Sequence, residues 1–256
     1  MQVDLLLDPF GAGWTDVRDA AHAAVDAGFG GIWTYDHLDG RVYDAAHVLE
    51  CWTMLSALAA VVPSVVLGPM VLNVANRHPG VLAAMAATLQ HVSEGRLLLG
   101  LGAGAHPGSR YAREQEAIGR PVFGDAERRV QVEHCVAELH RVWHAPGFLH
   151  PDPEPPVVIA AFGSRMAEIA GRVGDGINAR ATHPRLRDLV TTARRANGDP
   201  DGFLVTVFVD YDERWLSPDD PGRRELDALG AHRLILAMTA PLDRRRIAAA
   251  GPFLAG

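Results

Sequence analysis

The chain has 256 residues, of which 48% are hydrophobic and 21% charged, enough apolar material for a full core in one large domain. A formal net charge of −7 with scattered arginines would repel a phosphate backbone, which argues against nucleic-acid binding. All 24 basic residues are arginine, so Schiff-base, pyridoxal-phosphate and P-loop chemistry, each of which needs a lysine, is excluded.

Met1 to Asp4 carries no basic run and enters a strand at once, which is not the pattern of a signal peptide. From there short apolar runs alternate with amphipathic stretches, the rhythm of a parallel sheet with crossover helices. The first strand is Val3 to Leu7, and its helix, Trp14 to Ala27, stops at Gly28, where a glycine belongs. The second strand, Gly31 to Thr34, is followed by a helix from His47 to Val62. The third, Val65 to Leu72, leads to a helix from Pro79 to Val92, with Pro79 suited to the first turn and Gly95 to the stop. The fourth, Arg96 to Leu101, precedes a long loop in which no helical pattern resumes until the helix Asp125 to His144. Val157 to Ala161 with Ser164 to Val173, and Gly176 to Ala179 with Pro184 to Asn197, are the fifth and sixth pairs. Phe203 to Val209 with a helix near Arg223 to Leu229, and Leu234 to Met238 with Leu242 to Ala250, complete the series.

Eight strand–helix units with no linker predict a single (β/α)8 TIM barrel spanning residues 1–256. A doubly wound open sheet is the alternative, but eight units ending on a helix close more naturally. The charge-free stretch Cys51 to Asn76 is divided by Pro63, Gly68 and Pro69 into pieces too short to cross a bilayer, so no membrane association is expected. Cys51 and Cys135 fall on helical patterns and read as buried thiols, as in a reducing, cytoplasmic setting.

In barrels of this class the active site lies at the C-terminal ends of the strands. Asp36 and His37 stand there, just past the second strand. An imidazole beside a carboxylate is a candidate acid–base pair, although out of context Asp-His reads as a turn. Gly100 to Ala105 formally satisfies a dinucleotide fingerprint, yet His106, Pro107 and Gly108 follow where a helix should open. The better reading is a glycine-lined strand end that lets backbone approach a flat ligand. Gly163 and Ser164 at a helix start, with Arg180 and Thr182 after the sixth strand, suit an anion or are an ordinary helix cap beside a solvated arginine. His140 and His144 have metal-ligand spacing, but they occupy the last turn of a helix at the opposite face, where the dipole favours cations, so no metal site is expected. The loop Ala145 to Pro156, with five prolines, reads as a stiff excursion, and Arg244 to Arg246 as the exposed face of the last helix. Phe10, Trp14, Tyr43, Trp52 and His106 are candidates for an apolar or aromatic pocket wall, or plain core.

Several segments resemble the bacterial luciferase-like monooxygenase superfamily: Trp33 to Leu38, Leu67 to Leu72, Ala86 to Leu89 through Ser93 to Gly104, Pro153 to Ile159 with Gly163, and Gly174 to Asn178. The resemblance covers nearly the whole chain in order and is best to the branch that uses the deazaflavin coenzyme F420. It implies a TIM barrel with the coenzyme ring over the strand ends. It also implies a non-prolyl cis peptide in the third strand, by position Met70 to Val71, backing that ring beside Gly102 and Gly104. The Asp-His pair of F420 relatives carries over to Asp36 and His37, and their coenzyme phosphate site to Gly163, Ser164, Arg180 and Thr182. A homodimer and a small-molecule substrate follow from resemblance alone. Some sugar-phosphate oxidising relatives carry a glutamate in the loop after the fourth strand and lysines for substrate phosphate; this chain offers Ala105, His106 and no lysine, which puts that substrate class in doubt. The chain is short for the family, so the pocket is expected to be open or completed by a partner subunit.

The resulting expectation is an F420-dependent oxidoreductase in which His37 exchanges the substrate proton and Asp36 fixes its tautomer. The alternatives are an FMN-dependent monooxygenase on the same fold and a catalytically silent flavin-binding protein.

Overall fold

Alternating polarity along the first strand sets the inside and outside of the sheet. In β1 (Gln2–Leu7), Val3, Leu5 and Leu7 pack toward the helices, while Asp4 and Leu6 face the barrel axis, the period of two that a pleated strand imposes. The computed structural model of the chain describes residues 1–199 and 201–254. All its strands are parallel and form one sheet in which β1 lies between β2 (Gly31–Thr34) and β9 (Arg233–Met238). From β9 the sheet continues through β8 (Leu204–Asp210), β7 (Gly176–Arg180), β6 (Val157–Ala160) and β5 (Leu99–Gly102). The third barrel strand is split into β3 (Val66–Pro69), paired with β2, and β4 (Leu72–Asn73), paired with β5; a parallel bridge between Leu67 and Leu97 closes the ring. The peptide between the two pieces, Met70–Val71, is cis. This is the TIM barrel that the eight units predict.

The helices lie outside: α1 (Trp14–Ala27), α2 (Cys51–Val61), α3 (Pro79–Val92), α5 (Asp125–Trp143), α6 (Ser164–Val173), α7 (Leu186–Ala196), α8 (Pro221–Leu229), α9 (Arg244–Ala249) and the short α10 (Gly251–Leu254). Their apolar faces and the outward strand residues make one large core, while Leu6, Trp33, Met70, Leu98, Val158, Ile235 and Ala237 fill the barrel interior. Below them Asp4, fully buried, accepts the Trp33 indole N–H at 2.8 Å, and Arg233 Nη1 donates across its two carboxylate oxygens at 2.8 and 2.9 Å. Burial pushes the Asp4 carboxyl up and Arg233 pulls it back.

Three differences from the predicted elements have local causes. The second helix begins at Cys51 rather than His47, because Val48 bridges Phe10 and Glu50 caps the helix through Trp52 and Thr53 N–H. The continuous fourth strand begins at Leu99; the segment before it pairs with β3 only through the Leu67–Leu97 bridge, while the Arg96 side chain caps the carbonyls of Ala59, Val62 and Val65. Most consequential, the loop after the fourth strand contains a six-residue helix, α4 (Ala112–Ala117), where no helix was predicted. Both cysteines are buried, unpaired thiols, and burial pushes Cys135 up to about 12. Among the described residues no helix is long and apolar enough to cross a membrane.

Candidate active site

The C-terminal strand ends open into a cavity of about 1080 Å³, at the upper end of the size range for small-molecule sites. Asp36, His37, Met70, Val71, Gly102, Gly104, Gly163, Ser164 and Arg180 all line it, so sequence reasoning brings together nine of its ten site residues. Thr182 is exposed and lies outside the lining. Of the five candidate wall residues, Phe10, Tyr43 and His106 line the cavity; Trp14 and Trp52 pack with the core instead.

The expected pairing of Asp36 with His37 is not made. Asp36, 6% exposed, is gripped by both terminal nitrogens of Arg77 at 2.7 and 2.8 Å and accepts the Asn73 N–H at 2.9 Å; Arg77 reaches on to Glu50 at 2.6 Å. A carboxylate whose oxygens are filled in this way is a strut that joins the end of β2 to β4 and the start of α2. The partner of His37 is Glu114, on the unpredicted helix α4. Its Oε1 lies 2.7 Å from His37 Nδ1, and its Oε2 accepts the N–H groups of Leu38 at 2.9 Å and Asp39 at 3.3 Å.

That geometry fixes a tautomer. With Oε2 accepting two backbone N–H groups, Oε1 is left to accept from Nδ1–H, and the neutral ring keeps its lone pair on Nε2, which makes no hydrogen bond among the described residues. Phe10, Tyr43 and Tyr111 surround the imidazole with ring centroids 5.2, 5.9 and 5.4 Å away, Tyr111 nearly stacked, and Arg110 lies 4.2 Å over the Tyr43 ring. Deeper in, burial pushes up the Asp8 carboxyl and the Tyr35 hydroxyl, which therefore stays protonated.

Beside the end of β2, the split third strand and the end of β5 add Met70, Val71, Gly102 and Gly104 to the lining. A side chain on Gly102 would meet Val71 at 2.6 Å, and one on Gly104, at φ +77°, would meet Asn73 at 2.2 Å. Glycine there lets the β5 loop lie close over the Met70–Val71 peptide, and Arg128 holds that loop by the Ala103 and Gly104 carbonyls. The far end is a helix start. Gly163 caps α6 without a side chain, and among the described residues the N–H groups of Ser164 and Arg165 have no partner, while that of Met166 donates to the Gly163 carbonyl at 3.1 Å. Arg180 rests over the Phe208 ring and pairs with Asp210 at 3.2 Å, so part of its charge is already answered; Arg165 and Arg185, which sequence reasoning missed, add two more guanidinium groups to the lining. An apolar floor of main chain with a cationic, N–H-rich end fits a flat ring carrying a phosphate.

Two residues that matter most here, Glu114 and Arg77, carried no periodic signal. Glu114 sits in the run Ala-Arg-Glu-Gln-Glu-Ala, whose high helix propensity was the only available clue.

The luciferase-like monooxygenase profile matches residues 3–210. An F420-dependent glucose-6-phosphate dehydrogenase of Nakamurella multipartita is 32% identical over 226 residues, 78% of this chain and 65% of that protein. A protein of the same name from Beutenbergia cavernae is 34% identical over 169 residues, 60% of this chain and 48% of its own length. The chain therefore spans about half to two thirds of the length of these curated relatives. In structure, an F420-dependent secondary alcohol dehydrogenase in complex with an F420-acetone adduct superimposes with a TM-score of 0.80 at 17% identity, covering 99% of this chain and 98% of the other, which establishes the shared fold. With the profile running from β1 to the end of β8, the chain belongs to the luciferase-like monooxygenase family.

Proposed function

We propose that the protein is an F420-dependent oxidoreductase acting on a small alcohol or its carbonyl counterpart. The observation that carries this reading is the His37–Glu114 pair, which leaves His37 Nε2 without a hydrogen-bond partner among the described residues in a cavity that the Met70–Val71 peptide and Gly102 also line. The names of the relatives support the choice of coenzyme. Met70, Val71, Gly102 and Gly104 would hold the deazaflavin ring, and Gly163, Ser164, Arg165, Arg180 and Arg185 its phosphate. When bound, the deazaflavin would supply a carbon, C5, that accepts or gives up hydride.

The chain's own contribution is proton management. His37 Nε2 takes the hydroxyl proton as the substrate carbon is oxidised, and returns it in the reverse direction. The imidazolium so formed is stabilised by the Glu114 carboxylate 2.7 Å away. Asp36, tied to Arg77, holds the loop on which His37 stands and moves no proton. Phe10, Tyr43 and Tyr111 pack around the imidazole, and Tyr35, whose hydroxyl burial keeps protonated, lines the same cavity.

Equilibrium titration of the purified protein with F420 and, separately, with FMN, read by fluorescence, tests the coenzyme assignment. F420 should bind and FMN should not, and a panel of alcohols should then reduce bound F420. Tight FMN binding with no F420 binding would replace this reading with the monooxygenase alternative. F420 binding with no turnover across alcohols, carbonyls and imines would replace it with a silent binding protein.

A further inference from the structure

The histidines dismissed on sequence grounds acquire partners in the fold. His140 and His144, in the last turn of α5, face the proline-rich loop that leads into β6, and that loop brings His150 and Glu154 against them. Glu154 Oε2 lies 3.1 Å from His140 Nδ1, and Oε1 lies 3.4 Å from His144 Nε2. One donor atom from each of His144, His150 and Glu154 lies within 4.8 Å of the other two. The cluster sits at the strand N-terminal face, because α5 runs antiparallel to the strands, and none of its residues lines the large cavity.

Three features separate this cluster from a chance gathering of surface imidazoles. First, both histidines are oriented through their other nitrogen. His144 Nδ1 is 2.8 Å from the His140 carbonyl and His150 Nδ1 is 3.3 Å from the Trp143 carbonyl. A carbonyl only accepts, so each Nδ1 carries the proton and each Nε2 keeps its lone pair, the state in which an imidazole ligates metal. Second, Glu154 is oriented by His140, which occupies one oxygen and leaves the other toward His144. Third, the loop is anchored. Pro151 and Pro155 are buried on either side of Glu154, and Gln90 donates to the Pro153 carbonyl at 2.9 Å, while His150 remains exposed and Glu154 half-buried.

The spacing can be judged against a known requirement. Nitrogen and oxygen ligands about 2.0–2.1 Å from a tetrahedral zinc stand about 3.3 Å apart. The His144–Glu154 pair is already at that distance. Bringing His150 in needs a movement on the order of 1 Å by an exposed side chain, within the reach of a rotamer adjustment. Two imidazoles and one carboxylate suit zinc or a neighbouring transition metal and are a poor set for magnesium or calcium, which prefer all-oxygen ligands.

We propose that His144, His150 and Glu154 bind a divalent transition metal of the zinc class, with water completing the coordination and His140 steering the carboxylate. Such a site clasps the end of α5 to the segment entering β6 and ties two barrel units together far from the cavity.

Calorimetric titration of metal-stripped protein with zinc chloride, with magnesium as control, tests the site. One equivalent of zinc should bind and magnesium should not compete. H144A/H150A and E154Q should each weaken zinc binding by about tenfold or more, with far-UV circular dichroism unchanged and unfolding still cooperative, since both histidines are exposed and glutamine keeps the shape of the half-buried Glu154. Zinc at about a hundredfold over its Kd should raise the thermal midpoint of the unsubstituted chain by roughly 5–10 °C and leave that of H144A/H150A in place. Failure of the unsubstituted chain to bind zinc would overturn the proposal, as would equal affinity in either variant.

Discussion

The two ends of the barrel each hold a buried carboxylate against an arginine, and the surroundings give the pairs different work. At the lower end Asp4 has Arg233 and the Trp33 indole for partners inside a packed interior. At the upper end Asp36 has Arg77 and a backbone N–H, and the next residue, His37, borders the open cavity with a carboxylate of its own. The lower pair closes the barrel and the upper pair frames an opening. A buried ion pair by itself therefore does not mark the chemical site here. What marks it is an imidazole with one nitrogen held by a buried carboxylate and the other free at the large cavity.

Mutations should divide along the same line. The largest effect is expected at the closed end, where Asp4→Ala leaves Arg233 and the Trp33 N–H unanswered and should cost about 3–5 kcal/mol of stability, read from denaturant unfolding. A loss below about 1 kcal/mol would mean that water reaches Arg233 and that the end is not closed. At the open end, His37→Ala should lower turnover by about 100-fold or more, close to 3 kcal/mol of barrier, with coenzyme affinity and stability nearly unchanged. Glu114→Gln should lower kcat by about tenfold while KM moves little, the pattern of a residue that positions the base; a change confined to KM would refute that role. The smallest effect is expected at Glu50, the surface member of the upper network. Burial would raise its carboxyl, but N–H bonds from Thr53 and Trp52 and the Arg77 fork outweigh it and hold it below its ordinary value of 4.5. A lowered folded value means stability that is complete above pH 4.5 and lost as pH falls through that lowered value. Glu50→Gln should therefore cost about 0.5–1 kcal/mol at neutral pH, a helix cap discounted for solvent screening, and nothing in strong acid.

Legibility in the sequence followed the same physics. Helices α1, α3 and α6 begin and end where their apolar period and their proline or glycine punctuation predict, because outward core packing is what writes that period. The Met70–Val71 cis peptide was available only through family resemblance, whereas Gly102 and Gly104 were legible as a glycine-lined strand end, though not which side chains, Val71 and Asn73, they pack against. Helix α4 was invisible to periodicity because its buried residues include Glu114 and Gln115, which answer polar groups of β2, β4 and the cavity wall rather than a hydrophobic face. Reading Asp36 as the partner of His37 followed adjacency along the chain. On a strand end adjacent side chains diverge, and the partner came from 77 residues away.

Glu114 does two things with one carboxylate. It orients the base, and through Leu38 and Asp39 it staples the rim of the mouth to the loop that follows β5. The edge of the opening and the orientation of the base therefore rest on one side chain, so a single substitution at Glu114 reaches both at once.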